Sequence, residues 1–129
     1  MKIYIAAKFE RRETLRPIRD KLWEAGHEII GSWLDEVKRP EGMDTSTFFK
    51  KLAIKDLAEI RAADLLILDT TPSDHGVIQG ANVEYGFALG QHQSKQVWVI
   101  GETTCVFHHI ADRHFKSWDE CVEVLCARS

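Results

Sequence analysis

Glu84 stands where a carboxylate could do chemistry: an apolar strand, Leu65 to Leu68, runs into a polar loop and then into a helix expected from Ala81 to Leu89. In or near the first turn of that helix, the dipole and the free backbone N–H groups favour an ionised carboxylate. An ionised, positioned carboxylate is a nucleophile or a general base. Two more acids, Asp69 and Asp74, flank the same loop, although Asp69 is equally suited to capping the turn that ends its strand. Upstream, Asp56 sits near the edge of a helical apolar stripe. It is either a surface acid paired with Lys51 or Lys55, or a second carboxylate able to approach Glu84 over the sheet end.

A second group lies near the start of the chain. The run Ala6-Ala7-Lys8-Phe9-Glu10-Arg11-Arg12 combines small residues, cations and a helix start, the ingredients of an anion site. The same residues are also compatible with solvated helix-start charges, because neither a G-x-G-x-x-G nor a G-x-x-x-x-G-K-S/T motif is present. Phe9 and Trp33 are able to stack on a nucleobase or to pack locally. His108, His109, Asp112 and His114 match no closed zinc spacing, so they are expected to line a pocket or a subunit boundary, with no metal.

These groups need a scaffold, and the hydrophobic pattern supplies one. Strands are expected at Ile3 to Ala6, His27 to Ser32, Leu65 to Leu68, Gln96 to Ile100 and around His114 to Lys116. Between them fall helices from Glu10 to Ala25, with Leu15, Ile18, Leu22 and Trp23 inward, and from Ser46 or Thr47 to Ala62, with Phe49, Leu52, Ala53, Leu57 and Ile60 inward. Val83, Phe87 and Ala88 are the expected stripe of the helix carrying Glu84, and a last helix runs from Trp118 to Cys126. Strands alternating with helices predict an α/β fold in three layers, a five-stranded parallel sheet of order 2-1-3-4-5. Its topological switch lies between the first and third strands, so the loops Ala7 to Arg12 and Thr70 to Gly80 should frame the binding cleft.

Length and composition set the bounds. The 129 residues suit a single domain, and 44% hydrophobic with 29% charged residues is ordinary for a globular protein. A net charge of -3 gives no reason to expect a nucleic-acid polymer as partner. No apolar run reaches the roughly 20 residues of a membrane span, and no signal segment is evident, so a cytoplasmic location is expected. The cysteines, Cys105, Cys121 and Cys126, have neither paired nor C-x-x-C spacing, and Cys121 and Cys126 read as core thiols.

Taken together, Met1-Lys-Ile-Tyr-Ile-Ala6, Lys55-Asp56-Leu57 before Ala63-Asp64-Leu-Leu-Ile-Leu68, the Asn82-Val-Glu84-Tyr-Gly86 box and Val106-Phe-His-His109 resemble the nucleoside 2-deoxyribosyltransferase superfamily. That superfamily includes the nucleoside 5′-monophosphate N-glycosidases. The resemblance covers nearly the whole chain, and the Glu-x-Gly box is its most specific part. It implies a single-domain flavodoxin-like (Rossmann-like) fold, no cofactor, and cleavage of an N-glycosidic bond through a glycosyl ester on Glu84. Sugar transfer would then go to another base or to water. Asp56 would assist, Asp74 would help the base leave, and Ser73 matches a hydroxyl residue of the hydrolases. Lys8, Arg11 and Arg12 fall where those hydrolases grip a 5′-phosphate, with Ala7, Phe9, Trp33, Asp69, Gly80 and Asn82 also expected around the substrate. Homodimers or larger assemblies with shared sites are implied, His108 or His109 being donated by a neighbour. The other reading of the same fold is a nucleotide-binding or sensing module without turnover.

Overall fold

The computed structural model describes residues 1–35, 38–72, 78–91 and 93–127. Five strands, β1 (Lys2–Ala6), β2 (Glu28–Ile29), β3 (Leu65–Asp69), β4 (Gln96–Ile100) and β5 (Arg113–Phe115), form one sheet of order β2-β1-β3-β4-β5. Every pairing is parallel, as the alternating pattern predicts, with Ile3 opposite Leu65 and Leu65 opposite Gln96. All of β3 is buried, which is why its sequence is a continuous apolar run instead of an alternating one.

Alternation along β1 and β4 sorts side chains between two cores. Ile3, Ile5, Leu65, Ile67, Trp98 and Ile100 face helices α1 (Arg12–Glu24) and α4 (Trp118–Ala127). Tyr4, Ala6, Leu66, Leu68, Val97 and Val99 face α2 (Thr45–Ala62) and α3 (Gln79–Leu89). The first of these layers is a filled apolar core. Into the second β1 puts a phenol, Tyr4, among aliphatic strand side chains.

Several element details differ from the pattern-based expectation. A 3-10 turn, Phe9–Arg11, precedes α1, and Trp23 is 60% exposed while Leu15 and Leu22 carry the burial. Asp44, and neither Ser46 nor Thr47, caps α2, its side chain accepting from the Thr47 N–H at 3.3 Å. Of the expected inward stripe of α2 only Ile60 is buried; Phe49 is 60% exposed and Ala53 is exposed. On α3 the buried stripe is Ala81, Tyr85 and Ala88, and Val83 points outward. Cys121 is buried and Cys126 half-buried, in line with core thiols.

With so little of α2 packed, its C-terminal end needs an anchor. Lys95, just before β4, is buried and its Nζ donates to the carbonyls of Ile60, Arg61 and Ala63 at 2.8, 3.1 and 3.0 Å. These are the carbonyls a helix end leaves without partners. Burial lowers the Lys95 pKa, the nearby Asp64 opposes that effect and Arg61 adds to it. The Ile60 carbonyl also accepts from the Ala63 N–H, so replacing Lys95 with Met should remove the ammonium from the Arg61 and Ala63 carbonyls and cost about 1–3 kcal/mol in urea unfolding. Unchanged stability would show that water takes over the ammonium's role.

Candidate active site

A cleft of about 590 Å3 opens at the carboxyl end of β1, between the loop that follows it, α2 and the start of α3. That is a volume suited to a small organic ligand. Its floor is polar and its walls are mostly apolar. Trp33, in a short 3-10 turn, Ser32–Leu34, makes one wall. The two-residue β2 stops short of Ile5, so the Ile5 carbonyl is left for the Trp33 indole N–H, which donates to it at 2.7 Å. This bond fixes the plane of the ring. Phe9 makes a second wall, with the Arg12 guanidinium stacked 3.7 Å from its ring centre.

Glu84 and Asp56 both line the cleft. α3 begins at Gln79, earlier than the pattern suggests, so Glu84 lies in its second turn, out of reach of the terminal N–H groups. The expectation that a helix start keeps Glu84 ionised is therefore corrected. Its partner is Tyr4, whose hydroxyl rises from the middle of β1 and donates to Glu84 Oε2 at 2.5 Å. Burial pushes the Glu84 pKa up to about 7, the Tyr4 bond opposes that, and the charges of Asp56 and Glu59 add to it. Burial and then Glu59 raise Asp56 to about 6, with Lys55 opposing. Burial and the neighbouring Glu84 and Asp56 carboxylates drive the Tyr4 pKa far above that of a free phenol, so Tyr4 remains a donor at every working pH. The site thus holds two carboxyl groups near neutrality and a phenol aiming one of them.

Of the other expected residues, Ala7, Lys8, Phe9, Trp33 and Gly80 line the cleft. The N–H groups of Gln79, Gly80 and Ala81 open α3 on the same wall, without carbonyl partners inside the helix. Arg11, Arg12, Asp69, Asn82, His108 and His109 are not among the lining residues. Arg11 is turned onto Asp69, with Nη2 donating to Oδ2 at 3.0 Å, and Arg12 covers Phe9 from behind. Asp69 is fully buried. Its carboxylate also accepts from the Trp118 indole at 2.8 Å and from the Thr71 N–H at 2.9 Å, so it caps the turn after β3. Burial alone would raise its pKa, but the bonds from Thr71, Trp118 and Arg11 together hold it below the usual carboxylate range.

Asn82 faces away from the cleft, toward the 3-10 turn Val106–Ile110. His108 is buried there, so it cannot be donated to a neighbouring subunit; His109 is exposed. The Thr104 N–H donates to His108 Nδ1 at 3.1 Å, which assigns the proton to Nε2, and Nε2 then donates to Asn82 Oδ1 at 2.8 Å. Burial, with His114 and His109 nearby, lowers the His108 pKa and keeps this neutral tautomer. Asp112 accepts from the Val97 N–H, and among the described residues no three His, Cys, Asp or Glu side chains converge on a metal position. Ser73 and Asp74 lie outside the described residues.

Tyr4 and Glu59 were not singled out by sequence reasoning. A signal for Tyr4 exists: it is a phenol in an otherwise aliphatic buried strand, and a buried hydroxyl must find a partner.

No family model matches the sequence, and no curated protein does. Solved structures do match the fold. A 2-deoxyribosyltransferase from Bacillus psychrosaccharolyticus superposes with a TM-score of 0.75 at 18% identity, over 97% of this chain and 96% of that one. A CMP N-glycosidase from Clostridium botulinum gives a TM-score of 0.58, also at 18% identity, over 97% and 98% of the two chains. Both belong to the group of proteins that the sequence resembles. What they share with this chain at that identity is the fold.

A site that raises a carboxyl pKa costs stability. Glu84 has a folded pKa of about 7 against an ordinary 4.5, so between those values the folded chain holds a proton that the unfolded chain has released. Stability attributable to Glu84 therefore falls as pH rises through that window. Glu84→Gln keeps an acceptor for Tyr4 and should be more stable than the parent by roughly 1–3 kcal/mol at pH 8, with no difference at pH 4. Denaturant unfolding at the two pH values reads this directly; a variant less stable at pH 8 would contradict the burial of the charge.

Proposed function

We propose that this chain cleaves the N-glycosidic bond of a nucleoside, a 2′-deoxynucleoside or the corresponding 5′-monophosphate, with Glu84 as nucleophile. The observation that carries this reading is the pairing of a Tyr4-oriented Glu84 with a second carboxyl group, Asp56, in one aromatic-walled cleft. The two solved structures of like fold, whose names are those of a deoxyribosyltransferase and a nucleotide N-glycosidase, support it as well.

In the first step a Glu84 oxygen bonds to the anomeric carbon while the C–N bond breaks. Its electron pair leaves with the base, which takes a proton from the Asp56 carboxyl. In the second step water or another base attacks the same carbon, gives its proton to the Asp56 carboxylate and displaces Glu84. Two displacements retain the anomeric configuration. Tyr4 holds the attacking oxygen and stabilises the carboxylate until the bond forms. Phe9 and Trp33 flank the base, and Lys8 with the N–H groups of Gln79, Gly80 and Ala81 suits a 5′-phosphate. Arg11 is left out of that phosphate role, since its charge is engaged by Asp69. Asp74 and Ser73, which precede α3 in the sequence, are further groups this reading assigns to the leaving base and the phosphate.

Chromatography of deoxynucleosides and their 5′-monophosphates, each with and without a second free base, tests the activity. Base released only from monophosphates would identify a hydrolase of nucleotides, and a new nucleoside formed only with added base a transferase. No product from any of them would leave a binding module and reject the proposal. Asp56→Asn should lower kcat/KM by about 10²–10⁴-fold and Glu84→Gln should abolish turnover. Glu84 must be ionised and Asp56 protonated, so kcat/KM should be bell-shaped and highest between about pH 6 and 7, the limbs belonging to the coupled pair. A flat profile over pH 5–8 would remove one of the two carboxyls from the mechanism.

The same reading includes assembly into a homodimer or larger oligomer. Phe49 on α2, Val83 on α3, and Val106, Phe107 and Ile110 beside α3 are 60–74% exposed, large apolar side chains that a second copy would cover. Val83 also lines the cleft, so a second copy covering this face would complete the site's outer wall. Sedimentation should give a dimer or larger species and Val106→Asp a smaller one; a monomeric parent protein would refute the assembly.

A further inference from the structure

Glu59 takes no part in the chemistry described above and does not line the cleft, yet it is held with care. Its Oε1 accepts from the Ser32 hydroxyl at 3.0 Å and its Oε2 from the Ser32 N–H at 3.2 Å. Both oxygens accept, which is the pattern of a carboxylate. Ser32 opens the turn that carries Trp33, and Trp33 is fixed in turn by the Ile5 carbonyl. The place of this charge is therefore set by the wall of the cleft, independent of any ligand.

On α2, Glu59 stands three residues after Asp56, the spacing that makes side chains neighbours on one helix face. We propose that Glu59 is a positioning residue of the site: anchored on Ser32, it holds a negative charge beside Asp56 and so keeps a proton on the carboxyl that faces the cleft. This deepens the function proposed above, in which Asp56 supplies a proton to the departing base. Among the described residues, these groups face Asp56. Lys55 and Glu59 come from its own helix, Glu84 from α3 and Tyr4 from β1, with Lys8 and Glu10 on the loop across the cleft. Burial is the first cause disfavouring ionisation of Asp56; a second anion within this set adds to it, while Lys55 pulls the other way. Glu59 acts on Glu84 in the same sense, so its loss should move both carboxyl groups together.

The test is a carbon-detected NMR titration of the Asp56 and Glu84 side chains, which needs no turnover. In Glu59→Gln, which keeps an acceptor for Ser32 but removes the charge, the Asp56 midpoint should fall by roughly one pH unit and that of Glu84 by less. Glu59→Asp, which keeps the charge, should restore most of the shift. Ser32→Ala, which frees one oxygen of Glu59, should move the Asp56 midpoint the same way by a smaller amount and serves if the Gln variant does not fold. Midpoints unmoved in both Glu59→Gln and Ser32→Ala overturn the proposal. An equal fall in Glu59→Asp and Glu59→Gln also overturns it, because shape and not charge would then be at work. If the midpoints fall while the pH profile of kcat/KM stays in place, the tuning stands and Asp56 is not the proton donor.

Discussion

The site depends on one hydrogen bond crossing from the middle of a buried strand to the second turn of a helix, Tyr4 to Glu84. A carboxylate buried beside two others is unstable unless something donates to it. Tyr4 supplies that donor from a strand paired on both sides, so the acid has a defined direction before any ligand arrives. The phenol occupies what would otherwise be a core position. One side of the sheet gives up some apolar packing so that its cleft is aimed.

Everything around that bond serves to place α2 opposite α3. α2 buries little of its own surface, so the packing of Leu57 and Ile60 is joined by two polar ties to other elements: the Glu59 link to Ser32 and the Lys95 ammonium on its last carbonyls. Hydrogen bonds are directional where apolar contact is not, and a helix fixed in this way can present Asp56 at a set angle while leaving its outward face uncommitted.

Much of this was legible in the residues. The continuous run Leu65 to Leu68 requires a strand covered on both faces, and the alternation of strand and helix patterns requires parallel order, which locates the cleft at the β1 and β3 loops. Glu84, Asp56, Lys8, Phe9 and Trp33 lie there as expected. What periodicity could not carry was pairing across long sequence distances. Arg11 finds Asp69 fifty-eight residues away, and His108 finds Asn82 at a separation of twenty-six. Both pairs consist of residues whose types suit a ligand, and in each the two bond to one another instead. The outward Phe49 and Val83 misled for a different reason, since an apolar stripe records that a surface is covered without saying by which molecule.

The turn after β4 joins α3 through a histidine and a tyrosine: His108 bonds to Asn82, and the Tyr85 hydroxyl donates to the Phe107 carbonyl at 2.7 Å. The usual way to hold such a segment is to push its greasy side chains into the core. Here the inward adhesion is polar and point-like, which leaves Val106, Phe107 and Ile110 with nothing to do inside. The segment therefore behaves as a bracket screwed down from within. Its oily outer face, and with it whatever the protein leans against, is separable from the polar bonds that hold the helix carrying Glu84.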